Sequence, residues 1–153
     1  MNKLTVIIIL SFLSQEMFAM SFFNPGKTCV FSAVKAYVTY NGEPVKNATI
    51  IRRWEWKEER EERTQTDEHG YFEFPAAYES SVSRMLPIEI VIGQELFVVV
   101  DGTEKKIWAH AKRSADENSE LKGREMKLSC ELNEPMKTYG DYGLLQTLCS
   151  WEG

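Results

Sequence analysis

The chain has 153 residues, with 18 basic and 23 acidic side chains, a net charge of −5 and 43% hydrophobic residues. A chain of this length holds one domain with a real core. Its mildly acidic balance lacks the basic patch that nucleic acid or an anionic membrane surface requires, so neither is expected as a partner.

The first element reads as a targeting segment. Lys3 supplies a positive charge, and Leu4 to Leu13 form an apolar run broken only by Thr5 and Ser11. Ser14-Gln15-Glu16 end the run, and Ala19 is a small residue suited to the position before a cut, although Met17 is larger than usual two places earlier. A membrane span needs roughly 20 apolar residues, and this run holds about half that. A lipid anchor fits poorly, because Gly26-Lys27-Thr28 precede Cys29. The expectation is a signal peptide over 1–19, a β domain over 20–132 and a C-terminal tail over 133–153, in a periplasmic or secreted protein with no transmembrane segment after signal removal.

Beyond the signal, strands and turns alternate. Val34, Ala36, Val38 and Tyr40 interleave with Lys35, Tyr37 and Thr39, the period of a half-buried strand. Asn41-Gly42 is a turn signal. In the strand that follows, Ile50, Arg52, Trp54 and Trp56 share one face, and Ile51, Arg53, Glu55 and Lys57 the other. Lys57 to Arg63 read KEEREER, which has no apolar face to bury and is expected as the solvated tip of a long hairpin, with a short helical turn as the alternative. Asp67-Glu68-His69-Gly70 form a turn, Tyr71 to Phe74 a strand, and Ala76 to Pro87 a longer connection. Ile88 to Ile92 and Glu95 to Val100 read as two strands divided at Gly93, followed by Lys105 to Ala111 and Arg124 to Leu132, with a polar loop between the last two. Seven or eight short strands with turn residues between them predict an all-β sandwich with an irregular tail.

Three cysteines lie beyond the signal: Cys29, Cys130 and Cys149. In an oxidising compartment two of them are expected to pair. Cys130–Cys149 is favoured because it would tie down the tail; Cys29–Cys130 is the rival pairing.

The segments NGEPVKNATIIRRW (Asn41 to Trp54) and TQTDEHGYFEFP (Thr64 to Pro75) resemble the opening of transthyretin-like, carboxypeptidase-regulatory-like (prealbumin-like) domains. The matching residues are Gly42, Pro44, Val45 and Ala48, then Thr66, Asp67, Gly70, Phe72 and Phe74. The resemblance covers about the first third of the mature chain and implies a seven-stranded Greek-key β-sandwich used as an accessory or binding module. The overall make-up also resembles that of small periplasmic immunity proteins that accompany secreted bacterial toxins.

The sequence offers little chemistry. His69 sits in a turn and His110 on a strand, and neither belongs to a spaced ligand set. Ser80, Ser81 and Ser83 have no nucleophile motif around them. Two enzyme groups are built on related sandwiches. The Tyr-Arg-Gly-Ser ending of hydroxyisourate hydrolases is replaced here by Cys149-Ser150-Trp151-Glu152-Gly153, and the His-x-His pair of intradiol dioxygenases has no counterpart. No catalysis, cofactor or metal is expected.

Recognition is the remaining expectation. Trp54 and Trp56 adjoin Glu58, Glu59, Arg60, Glu61 and Glu62, and such residues form contact surfaces when exposed; the competing expectation is that both tryptophans pack inside while the charges protect a sheet edge. Tyr139 and Tyr142, set among glycines, suit an adaptable contact loop. The leading expectation is an exported protein-binding module that acts as an immunity or inhibitor protein against a secreted toxin. The rivals are a carbohydrate- or envelope-binding accessory domain and a hydrolase.

Overall fold

A computed structural model describes residues 26–82 and 85–153, so the expected signal peptide lies outside the described residues. Thirteen strands are present among the described residues: β1 (Lys27–Phe31), β2 (Val34–Tyr40), β3 (Glu43–Pro44), β4 (Thr49–Glu55), β5 (Glu59–Gln65), β6 (Tyr71–Phe74), β7 (Ala77–Ser80), β8 (Ile92–Val100), β9 (Thr103–Lys112), β10 (Met126–Glu131), β11 (Lys137–Tyr139), β12 (Leu145–Thr147) and β13 (Cys149–Ser150).

They form an all-β sandwich. One sheet runs β13-β10-β2-β3, with β6 also on β2; the other runs β11-β12-β9-β8-β4-β5; β1 and β7 form a separate pair. All pairings are antiparallel except β2 with β10, which run parallel from Val34↔Met126 to Thr39↔Glu131. The inward faces share one core. Val34, Ala36, Val38, Phe72 and Leu128 come from one sheet, and Ile50, Ile92, Leu96, Ile107 and Trp108 from the other. Strict alternation along β2, buried at Val34, Ala36 and Val38 and open at Lys35 and Tyr37, produces this division.

The turns follow their chemistry. Asn41 and Gly42 take φ of 52° and 79°, the paired left-handed geometry of a tight hairpin. Glu131 caps this turn: its carboxylate accepts from the backbone N–H groups of Asn41 (2.8 Å), Gly42 (3.0 Å) and Asn133 (3.2 Å) and from the Thr39 hydroxyl (2.8 Å). Gly70 has φ +73°, and a Cβ there would lie 2.3 Å from the Val38 carbonyl oxygen, so only glycine fits. Asp67 accepts from the N–H groups of His69 and Tyr71 and closes the same turn.

Four expectations need correction. The KEEREER stretch is not a hairpin tip: its residues 59–63 lie in the edge strand β5, and the bend is Trp56 to Glu58. Charged side chains hold that strand because they pair across to β4, Arg52 with Glu62 and Arg53 with Glu61. The connection from Ala76 contains β7, which pairs with β1, a strand whose unalternating KTCVF carries no periodic signal. Gly93 does not divide two strands but lies inside β8, while residues 88–91 are irregular. The tail is not irregular: β11 and β12 extend the larger sheet beyond β9, and β13 pairs with β10. Its short segments carry too few residues to show a period, and sheet pairing supplies their order.

The Cys130–Cys149 disulfide joins β10 to β13 across a sequence separation of 19, and Cys29 is buried and free.

Candidate functional site

The β4–β5 hairpin is built around two arginines that point to opposite faces. Arg52 is fully buried, with its guanidinium over the rings of Phe74 (4.6 Å), Phe31 (5.2 Å) and Trp54 (5.6 Å). It donates to the Pro75 carbonyl (2.7 Å) and through two nitrogens to Glu62. Burial pulls its pKa below the ordinary value, against the support of Glu62. Arg53 faces outward, bonds Glu61 (2.7 Å) and Glu104 (3.3 Å), and lies 4.8 Å from the centre of the Phe97 ring. Those hydrogen bonds raise the Arg53 pKa, led by Glu61, and bonds from Arg53 and Arg63 hold the Glu61 carboxyl below its ordinary value.

This construction decides where the tryptophans go. Trp54 follows Arg52 on the inner face, is 7% exposed, and its indole N–H donates to Glu79 on β7 at 2.8 Å. It is therefore a core residue and not a contact surface. Trp56, at the bend, is half-buried beneath the Lys57 ammonium, 4.7 Å from its ring centre. Glu58 and Arg60 are exposed and paired at 2.8 Å.

Among the described residues β5 pairs only with β4, which leaves its far edge without a strand partner there. The free edge faces β7, and between them lies an open groove of about 550 Å³. Its charged lining is Glu58, Glu61, Glu62 and Glu79 against Lys57 and Arg60, a local balance of −2. Tyr78, 49% exposed, borders it and donates its hydroxyl to Glu117 at 2.7 Å; burial, with that hydrogen bond, pushes its pKa up. The groove thus gathers four of the sequence-predicted residues, Glu58, Arg60, Glu61 and Glu62, with Trp54 in its wall. Glu59, exposed, lies instead over the outer sheet face, in a trough with Arg53, Glu55 and Glu95. Tyr78 and Glu79 carried no signal in the sequence because the strand that holds them reads as a connection.

The 139–143 segment is elsewhere. A short 3-10 turn at Gly140–Tyr142 follows β11, at the opposite edge of the larger sheet from β5. Five strand spacings, roughly 24 Å, separate the two edges, so Tyr139 and Tyr142 belong to a different surface. Both pack with Trp151, at ring-centre distances of 5.1 and 5.4 Å.

A buried polar cluster ties the 113–123 loop to the core. Glu120 accepts from the Ser32 hydroxyl (2.6 Å), the Ser32 N–H (3.0 Å) and the Gln94 amide (2.8 Å), and pairs with Lys112 at 3.3 Å, both side chains fully buried. Burial acts to raise the Glu120 pKa, but Lys112 and the hydrogen bonds from Gln94 and Ser32 outweigh it and hold the carboxyl below its ordinary value. Cys29 lies 3.8 Å from the Ser32 hydroxyl, and burial pushes its thiol up to about 11, which makes it a poor nucleophile. His110 is lowered, chiefly by burial. Ser32, Lys112 and Glu120 are engaged with one another in holding the loop, whereas Gln94 Oε1 and His110 Nδ1 are buried without a hydrogen-bond partner among the described residues; nothing in the sequence had singled out Lys112 or Glu120. Among the described residues no group of three or more His, Cys, Asp and Glu side chains could hold a metal ion. No helix of the described residues is long and apolar enough to cross a membrane.

No curated protein and no solved structure matches the chain. A family does match, over residues 34–135, which run from the first residue of β2 to just beyond β10 and contain the whole hairpin and the Lys112–Glu120 pair. β1, the 139–143 turn and Cys149 fall outside that span. The match covers two thirds of the chain, and the chain therefore belongs to the family described as Domain of unknown function (DUF6795).

Proposed function

We propose that the chain is an exported protein-binding module, in its most concrete form an immunity-type inhibitor that covers the working site of a secreted bacterial toxin. The observation that carries this reading is the acidic groove between the free edge of β5 and β7, with four carboxylates against two cations and Tyr78 at its border. A free strand edge offers backbone donors and acceptors to a partner. A concentrated negative charge speeds encounter with a basic surface. The groove's own ion pairs keep the edge from self-association while the partner is absent. Export is supported by the apolar leader and by the disulfide, which needs an oxidising compartment. A transthyretin-like affiliation is part of the same proposal, supported by the Gly42 and Gly70 turns and the inward Phe72 and Phe74.

The test uses mature protein from Met20, the product of the adjacent gene, and a variant carrying Glu58→Lys and Tyr78→Ala, which leaves the Arg52 and Arg53 pairs intact. Saturable binding by the wild type, weakened in the variant and by added salt, is the expected result. Absence of binding to that gene product, or binding that the variant leaves unaltered, rejects the inhibitor reading at this groove.

A further inference from the structure

Two strand edges face one another across the groove at β5, and their hydrogen-bond parity shows which backbone groups each presents to it. In an antiparallel pair every second residue bonds its partner strand, and the residues between turn their N–H and C=O outward. The Thr66 N–H donates to the Ala48 carbonyl at 2.9 Å. Counting back along the β4–β5 register, Thr64, Glu62 and Arg60 bond β4, whereas Arg63, Glu61 and Glu59 turn their backbone groups outward. On β7, the Ser81 N–H donates to the Gly26 carbonyl at 2.9 Å, so Glu79 bonds β1 while Ser80 and Tyr78 turn theirs away from it. Two further bonds agree with this parity. The Cys29 N–H, opposite Tyr78, donates away from β7 to Ala115, and the Ser80 carbonyl accepts from Lys57 in the groove.

Among the described residues no strand lies between these edges: β5 pairs only with β4, and β7 only with β1. The two edges run in opposite directions. The chain enters β7 from Pro75, whose carbonyl accepts from Arg52, and leaves it at Ser80 beside Lys57, so β7 follows β4 and opposes β5. The charge around them is negative. Four carboxylates line the groove against Lys57 and Arg60. The cations that flank these groups by ion pair or register, Arg52, Arg53, Arg63 and Lys27, are matched in number by Glu55, Glu59, Glu104 and Glu117, so the balance stays at −2.

We propose that an extended, basic segment of a partner protein inserts as a strand between β5 and β7, an inference that rests on the protein-binding reading of the same groove. The segment pairs with Glu59, Glu61 and Arg63 on one side and with Tyr78 and Ser80 on the other, antiparallel to one edge and parallel to the other. It joins the β1–β7 pair to the larger sheet as one continuous sheet. A polypeptide backbone suits the place because it presents donors and acceptors to two strand edges at once. Its lysine or arginine side chains lie among the groove's carboxylates. The Lys57 side chain is exposed and flexible, and yields the Ser80 carbonyl to an incoming N–H.

Hydrogen exchange followed by NMR on the mature protein, alone and saturated with the purified product of the adjacent gene, tests the insertion. The Glu59, Glu61, Tyr78 and Ser80 amides should exchange quickly in the free protein and about tenfold or more slower in the complex. Glu59→Pro removes an outward N–H at the first residue of an edge strand, where proline is tolerated, and Ser80→Pro removes one at the end of β7. Each should weaken binding by about tenfold or more relative to Glu59→Ala and Ser80→Ala, which keep the N–H. A gene product that the wild type does not bind rejects the protein-binding reading and the insertion with it. Binding that leaves these amides unprotected, that protects only one edge, or that the proline and alanine variants share equally overturns the insertion and leaves the protein-binding reading standing. A dimer of this chain in light scattering, dissolved by Glu59→Pro, also overturns it, by placing a second copy on the β5 edge. The exchange measurement uses the wild type, so it decides even if a proline variant fails to fold.

Discussion

Lys112 and Glu120 are both out of water, and each is the other's counter-charge, with Asp116 and Ser119 also accepting from Lys112 and Ser32 and Gln94 also donating to Glu120. Removing Glu120 leaves Lys112 its two hydrogen-bond acceptors but no counter-charge. Glu120→Ala is expected to cost about 3–5 kcal/mol, read as a lowered urea midpoint. The double replacement Lys112→Met with Glu120→Leu should recover much of that loss, because it leaves no unpaired buried charge. A loss below about 1 kcal/mol in the single variant would mean that water reaches Lys112. Arg52 obeys the same rule with different partners, since rings, a carbonyl and Glu62 share its charge. Alternation along the sequence already set Arg52 on the face of Ile50 and Trp54, but not the partners that make its burial tolerable: Glu62, the Pro75 carbonyl and the rings of Phe31 and Phe74 come from other strands.

At the level of elements, turns and strand edges carry the decisive detail. The Asn41-Gly42 hairpin was legible because two consecutive left-handed residues need that pair of side chains. Its clamp was not, because Glu131 comes 89 residues after Gly42 and reaches it only through the parallel pairing of β2 and β10. The backbone N–H of Gly42, the Thr39 hydroxyl and the N–H groups of Asn133 and Asn41 hold the Glu131 carboxyl down to about 2, from an ordinary value of 4.5. A carboxyl with a depressed folded-state pKa contributes stability above its unfolded value and loses it as pH falls through the folded one. The turn should therefore remain clamped above pH 4.5 and loosen as the pH approaches about 2. An NMR titration should show the Asn41 and Gly42 amides moving together with the Glu131 carboxyl in that range, and Glu131→Gln should abolish the shared step. Amides that titrate near 4.5 would contradict the clamp.

For the molecule as a whole, the tail is part of the sandwich. β12 adds to β9, β13 adds to β10, and Leu145, Leu148 and Cys149 enter the core. The Cys130–Cys149 link closes a loop at a sequence separation of 19, which in the chain-entropy picture contributes about 3 kcal/mol by restricting the unfolded chain. The variant Cys130→Ser with Cys149→Ser should lose about that amount in a urea titration while keeping its all-β spectrum. A wild-type midpoint in that variant would show that strand pairing alone secures the tail.

The all-β class, the alternation of β2 and the turns at Asn41-Gly42 and Asp67 to Gly70 were legible in the residues alone, whereas the choice of Cys130–Cys149 over Cys29–Cys130 was settled by the pairing of β10 with β13. Each of the former is a local matter of period, turn geometry or composition, and local signals survive in a linear string. Strand pairing in three dimensions was needed to show that residues 59–63 form an edge strand, that Trp54 is core, that the hairpin and the 139–143 turn lie on opposite edges of one sheet, and that Lys112 meets Glu120 in the interior. Those outcomes depend on which strand pairs with which and in what register. A shift of one residue would exchange Arg52 for Arg53 at the core face and redraw the groove at β5.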